Sequence, residues 1–229
     1  MKPNLIIPLM GKRRKKLFSL KNFFFNNKYS YLINHICSNF TFCNKIIIIC
    51  RKQDKKYIKF RNISKLKFIY LRSSYNQINT IQKCEKKLNN KNPLLILNPD
   101  SFFSFLIKGN NLIRKLRKSN IVFFGIKDYQ KEEIINQKDT FKVYKNKLIS
   151  INIKDDSSNN KKKIVSAGLY YFKNINLFLK LCNKFNKKSK LKNSKFQIAH
   201  LIKLYLKSKY SINYVLVENF VDFADEKKI

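Results

Sequence analysis

Four short runs in this sequence are dominated by apolar residues with no sustained polar alternation: 5–10, 45–50, 67–71 and 94–98. The second contains four consecutive isoleucines, Ile46 to Ile49. A strand with one face in water alternates apolar and polar residues; a strand covered on both faces does not, and such strands belong to parallel sheets sandwiched by helices. The segments between the runs have helical spacing. Tyr31, Leu32, Ile36 and Phe40 fall on one side of 31–40, and Ile78, Ile81, Cys84 and Leu88 on one side of 76–88, while 53–62 reads as a short helix. The order strand, helix, strand predicts a doubly wound α/β sheet with right-handed crossovers. A helix over 106–117 and a strand over 120–126 continue it. The texture then changes to a hairpin of 140–144 and 148–153 around Asn146-Lys147, a polar loop at 155–163, a strand over 165–172, helices over 177–185 and 196–206, and a last strand at 214–217. The expectation is one α/β domain with a mainly parallel, mixed central sheet flanked by helices.

Composition removes several alternatives. Lys+Arg 50 against Asp+Glu 13 gives a net charge of +37, yet hydrophobic content is 44% with Phe 20 and Tyr 12. A disordered polybasic tail lacks that capacity to form a core. Such charge attracts nucleotides and nucleic acids. However, only seven of the basic residues are Arg, the preferred bidentate reader of phosphate and guanine, and the enriched Lys, Asn, Ile, Phe and Tyr are residues with A+T-rich codons. The charge is therefore expected to be spread over the surface, with no specific nucleic-acid partner. Cys37, Cys43, Cys50, Cys84 and Cys182 form no C-x-x-C pair, and with His35 and His200 as the only histidines no zinc spacing emerges, so the cysteines read as buried free thiols. The apolar runs are well short of the ~18 residues a membrane span needs, and 4–10 does not resemble a signal segment. A soluble, cytoplasmic protein is the expectation.

In open parallel sheets ligands bind beyond the carboxyl ends of the strands. After the first run comes Gly11-Lys12-Arg13-Arg14-Lys15-Lys16, which could cradle a polyphosphate through backbone N–H groups and cations, or could be a basic stretch of the kind any very basic chain contains. After the fourth comes Asn98-Pro99-Asp100-Ser101, whose carboxylate is placed either to hold Mg²⁺ or to cap a following helix.

Six segments, in order across nearly the whole chain, resemble the sugar-phosphate nucleotidyltransferases. Residues 4–11 (NLIIPLMG) with Lys15-Lys16-Leu17 are similar to that family's opening strand, glycine-rich loop and Lys-Pro-Leu. Residues 41–55 resemble its second strand, and Asn76-Gln77 with Thr80 its Gly-Gln-Ala-x-Thr. Residues 95–103 (LILNPDSFF) look like "ILNCDSFF", 165–172 (VSAGLYYF) like "ASAGIYYF", and 218–229 (ENFVDFADEKKI) like "EKFVDLGTPEDL". The resemblance implies a GT-A-like, Rossmann-like fold over 1–229, with 1–135 as nucleotide-binding half and 136–229 carrying the sugar site and second metal ligand. It implies an NDP-sugar made from an NTP and a sugar 1-phosphate with release of pyrophosphate, for surface polysaccharide. Asp100 and Asp222 would hold Mg²⁺, Gly11 and Lys12 contact the phosphates, Arg13 or Arg14 stabilise the leaving pyrophosphate, Lys15 neutralise the α-phosphate, Gln77 fix the base and Gly168 admit the sugar. The chain departs from the family where Gly-x-Gly-x-Arg is reduced to Gly11-Lys12-Arg13-Arg14, where Asn76 replaces Gly, where the Glu-Lys pair is missing, and where Ala224-Asp225-Glu226 replaces Gly-Thr-Pro. Alternative readings are a non-catalytic binding relative of these enzymes and a basic RNA-associated protein.

Overall fold

The computed structural model describes residues 1–10, 23–25, 28–30, 32–57, 64–74, 76–88, 92–107, 109–127, 139–144, 147–153, 164–188, 197–208 and 212–222. Strands β1 (Asn4–Pro8), β4 (Lys45–Arg51), β5 (Leu66–Leu71) and β6 (Leu94–Leu97) lie side by side in the order β5-β4-β1-β6, all parallel, as the four apolar runs predict. The strand at 66–71 differs from expectation in one respect. It lies at the sheet edge and buries only Ile69, consistent with its alternating Lys67-Phe68 start.

The sheet continues through β11 (Ile164–Phe172), β8 (Ile121–Ile126), β12 (Asn213–Asp222) and β7 (Ser101–Phe105), while β9 (Thr140–Tyr144) and β10 (Lys147–Asn152) form the expected hairpin, with β9 attached to β11. β11 runs antiparallel to β6, β8 and β9, and β7 antiparallel to β12. Most strands share one direction, against which β7, β10 and β11 run. A small hairpin, β2 (Phe23–Phe25) with β3 (Lys28–Ser30), stands apart.

Alternate residues of the same strands serve opposite cores. Ile6, Ile47, Ile49 and Ile96 join one cluster, together with residues of α2 (Gln77–Gln82), α4 (Ile175–Lys188) and α5 (Ile198–Lys207). Leu5, Ile7, Ile46, Ile48 and Leu95 join the other, with residues of α1 (Leu32–Asn39) and α3 (Gly109–Arg117). This is why the runs carry no polar alternation: both faces are covered, and each fully buried Ile or Leu contributes about 1.5–3 kcal/mol. All five cysteines are buried and free, and burial pushes the thiols of Cys37, Cys50 and Cys182 up to about 12.

Three boundaries differ from the sequence reading. The helix expected from 106 begins at Gly109, leaving Leu106 largely exposed, and residues 101–105 form β7 instead of leading into a helix. The segment 76–88 divides into α2 and a 3-10 turn at Glu85–Lys87. The last strand runs on to Asp222 through a bulge. No helix among the described residues is long and apolar enough to cross a membrane. Exposed cations occur across the elements, including Lys45, Lys67, Lys83, Lys115, Lys147 and Lys184.

Candidate functional site

The carboxyl end of β6 is where the chain's special features gather. Asn98 leaves the strand with its N–H donating to Gly168 O at 2.7 Å, and Ser101 N–H closes the Asn98–Ser101 turn on Asn98 O at 3.2 Å. Asp100 sits partly exposed within that turn. β7 follows at once. It is held by Asn39 Nδ2 of α1 donating to Phe103 O at 2.6 Å and by Phe102, Phe103 and Phe105 in the core, with Phe40 edge-on to Phe105.

Gln77, the first residue of α2, reaches the same turn: its Nε2 donates to Asn98 Oδ1 at 3.0 Å. The helix is aimed by its own cap. The Asn76 side chain accepts from Asn79 N at 2.8 Å, and Thr80 Oγ1 donates to Asn76 O at 2.8 Å. Asn can therefore stand where the resembling family has Gly.

Gly168 approaches from β11. Its φ is +71°, in the left-handed region, and a Cβ there would lie 2.5 Å from Ser101 Oγ and 2.9 Å from Asn98 Cβ. Both constraints demand glycine. The β11–β8 pairing slips between Ser166 and Tyr170, so Gly168 lies in a bulge that turns the strand onto the Asn98–Ser101 turn.

The last element is β12. Its pairing with β7 slips between Glu218 and Val221, where Asn219 adopts φ 51°, a conformation Asn tolerates better than most residues. After the bulge the register sets Asp222 opposite Ser101, next to Asp100. Directly opposed residues of an antiparallel pair have Cα atoms about 4.5–5.5 Å apart. Two aspartates distant in sequence are thereby brought to neighbouring positions at one sheet end. The Asp222 side chain, like Gly11, Lys12, Arg13, Arg14 and Lys15, lies outside the described residues.

A buried polar group behind this turn was not foreseen from sequence. Asp139, Thr140 and Ser166 are buried, and Ser166 Oγ and Tyr170 Oη are hydrogen-bonded at 3.0 Å. Burial, then the nearby Asp139 charge, pushes the Tyr170 phenol far above its ordinary value; the Ser166 hydrogen bond opposes this, and the Asp100 charge and a hydrogen bond to Asp139 add to it. The available sequence signal was the scarcity of carboxylates: in a chain with 13 Asp+Glu, an acid directly ahead of a strand stands out.

No protein-family model and no curated relative matches the sequence. Solved structures do match along nearly its whole length. A nucleoside-diphosphate-sugar pyrophosphorylase from Vibrio cholerae RC9 is similar with TM-score 0.66 at 14% identity, covering 96% of this chain and 94% of that one. A Bacillus anthracis protein described as a glucose-1-phosphate thymidylyltransferase, in complex with a sucrose, gives TM-score 0.69 at 16% identity over 96% and 89%. A UDP-glucose pyrophosphorylase complexed with UDP-glucose gives TM-score 0.67 at 12% identity over 95% and 91%. The fold is that of the sugar nucleotidyltransferases. It is carried here by a widely diverged sequence.

Proposed function

We propose that this chain is a nucleotidyltransferase that joins an NTP to a sugar 1-phosphate. A phosphate oxygen of the sugar phosphate attacks the α-phosphorus, the bond from that phosphorus to the β-phosphate oxygen breaks, and pyrophosphate leaves with the electron pair. The product is an NDP-sugar, a donor for polysaccharide synthesis. The observation that carries this reading is the β7–β12 register, which sets Asp222 opposite Ser101 and so beside Asp100 at the carboxyl end of β6. Carboxylates facing each other from these two backbone positions would repel unless a cation lay between them, which a metal-holding role would supply.

The donor set suits magnesium, a hard cation that prefers carboxylate and phosphate oxygens. Asp100 and Asp222 would hold it, and when bound it supplies charge neutralisation to the phosphoryl oxygens. Among the described residues no cluster of three His, Cys, Asp or Glu side chains offers another metal site. Gln77, held on Asn98, would orient the nucleotide, and the missing side chain at Gly168, whose backbone lies against the Asn98–Ser101 turn, would admit the sugar. Gly11, Lys12, Arg13, Arg14 and Lys15 follow β1 in the sequence and would neutralise the triphosphate.

The test is pyrophosphate release from each of the four common NTPs with a mixture of sugar 1-phosphates and Mg²⁺. Release from at least one pair, lost in Asp100→Asn, supports the reading. A folded wild-type protein that binds NTP and releases no pyrophosphate from any pair would replace it with the non-catalytic binding role, for which the degenerate Gly11–Arg14 segment is the reason to look.

A further inference from the structure

The buried polar residues behind the Asn98–Ser101 turn form a continuous path with a defined direction. The Tyr170 phenol keeps its proton because it is buried, and it donates that proton to the Asp139 carboxylate. A phenol has one hydrogen, so its oxygen can only accept from Ser166 Oγ, 3.0 Å away. Ser166 Oγ in turn accepts from Gly168 N–H at 3.2 Å. Gly168 O accepts from Asn98 N–H at 2.7 Å, and Asn98 O from Ser101 N–H at 3.2 Å, enclosing Asp100. The backbone carries a second link, since Ser166 N–H donates to Asp139 O at 2.9 Å. Every donor and acceptor in the series is used in one sense, and the series begins on a buried carboxylate and ends at the turn that carries Asp100.

We propose that Asp139 is a positioning residue for this site, anchoring a hydrogen-bond relay through Tyr170 and Ser166 that holds Gly168 in its left-handed bulge and thereby fixes the turn bearing Asp100. The position demands a side-chain oxygen that can accept from the Tyr170 hydroxyl. With the Tyr170 hydrogen taken up at 139, Ser166 directs its own hydrogen to Tyr170 and is held with a lone pair on the Gly168 N–H; without an acceptor at 139 the Tyr170 and Ser166 hydroxyls are free to turn and that orientation is lost. The freedom of glycine explains why an anchor is needed: Gly168 reaches the left-handed region without strain but has more conformational freedom to lose than any other residue, so its surroundings must hold it there. The effect on turnover rests on the nucleotidyltransferase reading; the relay itself does not.

The experiment compares wild type with Asp139→Ala, Asp139→Asn and Tyr170→Phe by amide hydrogen exchange and by pyrophosphate release. Tyr170→Phe keeps the ring and removes only the hydroxyl, so it remains informative if Asp139→Ala fails to fold. Asp139→Asn retains an oxygen that can accept from Tyr170. In the alanine and phenylalanine variants the Gly168 and Asn98 amides should exchange about tenfold faster or more, with β4 amides unchanged, whereas Asp139→Asn should stay within about threefold of wild type. kcat should fall about tenfold in the same two variants with KM for NTP within about twofold, and recover in Asp139→Asn. Unchanged exchange at Gly168 and Asn98 in both disrupting variants would overturn the relay, as would an asparagine variant as damaged as alanine. Faster exchange with unaltered kcat would refute the positioning role. If the wild type releases no pyrophosphate, the functional reading fails while the exchange arm still decides the relay.

Discussion

The parallel half of the sheet and the antiparallel half follow different rules. The ladders β5-β4, β4-β1 and β1-β6 run in unbroken register, and the central residues of β1, β4 and β6 are aliphatic. Among the antiparallel ladders, β10-β9, β11-β8 and β12-β7 each contain a register slip, while β11-β6 and β11-β9 do not. Two of the positive-φ residues, Gly168 and Asn219, and the buried polar residues Ser101, Asp139, Thr140 and Ser166 lie in or beside this second group, while the buried polar residues Asn4 and Asp54 lie in or beside the first. The comparison teaches a division of labour. The parallel block supplies stability from shape-filling burial, and the antiparallel ladders use bulges to bring the residues of the site together.

The largest effect that would sharpen this contrast is at Asp100. Asp100→Asn should lower pyrophosphate release by about 10³-fold or more, because it removes a charge that acts on the transferring group, with a melting temperature close to wild type. A variant that instead unfolds would place Asp100 in the scaffold and break the comparison. The mirror experiment is Ile48→Ala in β4, fully buried, which should cost about 2–5 kcal/mol in denaturant unfolding. Below the new unfolding midpoint it should leave kcat near its wild-type value. Gly168→Ala stands between the two. It forces a side chain into a left-handed bulge against Ser101 and Asn98, and should cost about 1–3 kcal/mol of stability while also depressing kcat. A neutral result would mean that the bulge is free to relax. The smallest effect concerns the thiols. Those of Cys37, Cys50 and Cys182 are pushed up to about 12 and that of Cys84 to about 11, so native protein at pH 8 should react slowly with a thiol-specific disulfide reagent, and all five cysteines should react on unfolding. The sign for stability follows: the unfolded chain releases these protons first, so stability is complete below about pH 8.5 and falls as pH rises from there toward the folded values.

How much could be read in advance divides along the same line. Ile46 to Ile49 and Leu94 to Leu97 announce doubly covered strands because local composition and tertiary environment agree there. β7 was missed because Asn98-Pro99-Asp100 interrupts an apolar stretch and Ser101-Phe102-Phe103-Ser104-Phe105 has neither strand nor helix period; its partner lies far along the chain. The last strand was read only to 217 because Glu218-Asn219 looks like a terminus, whereas Asn219 absorbs the bulge and the ladder resumes. Within the site, Asp100, Gln77 and Gly168 were legible because they fall in segments that resemble a known family. Asp139, Ser166 and Tyr170 were not, because a relay assembled from residues 139, 166 and 170 exists only after β9 and β11 have paired.

The β7–β12 register also has a consequence for the order of events in folding. Pairing Ser101 with Asp222 closes a loop of more than half the chain, whereas β4 finds β5 and β1 finds β4 across far shorter separations. Long closures cost entropy before they return any contact energy, so the parallel block is expected to gain protected amides first and the ladder at the site last. Pulsed hydrogen exchange during refolding would show this as early protection of β4 amides and late protection of Val221 and Asp222. A protein built this way acquires a stable scaffold before its candidate site is assembled, and a chain arrested on the way would be compact yet without that site.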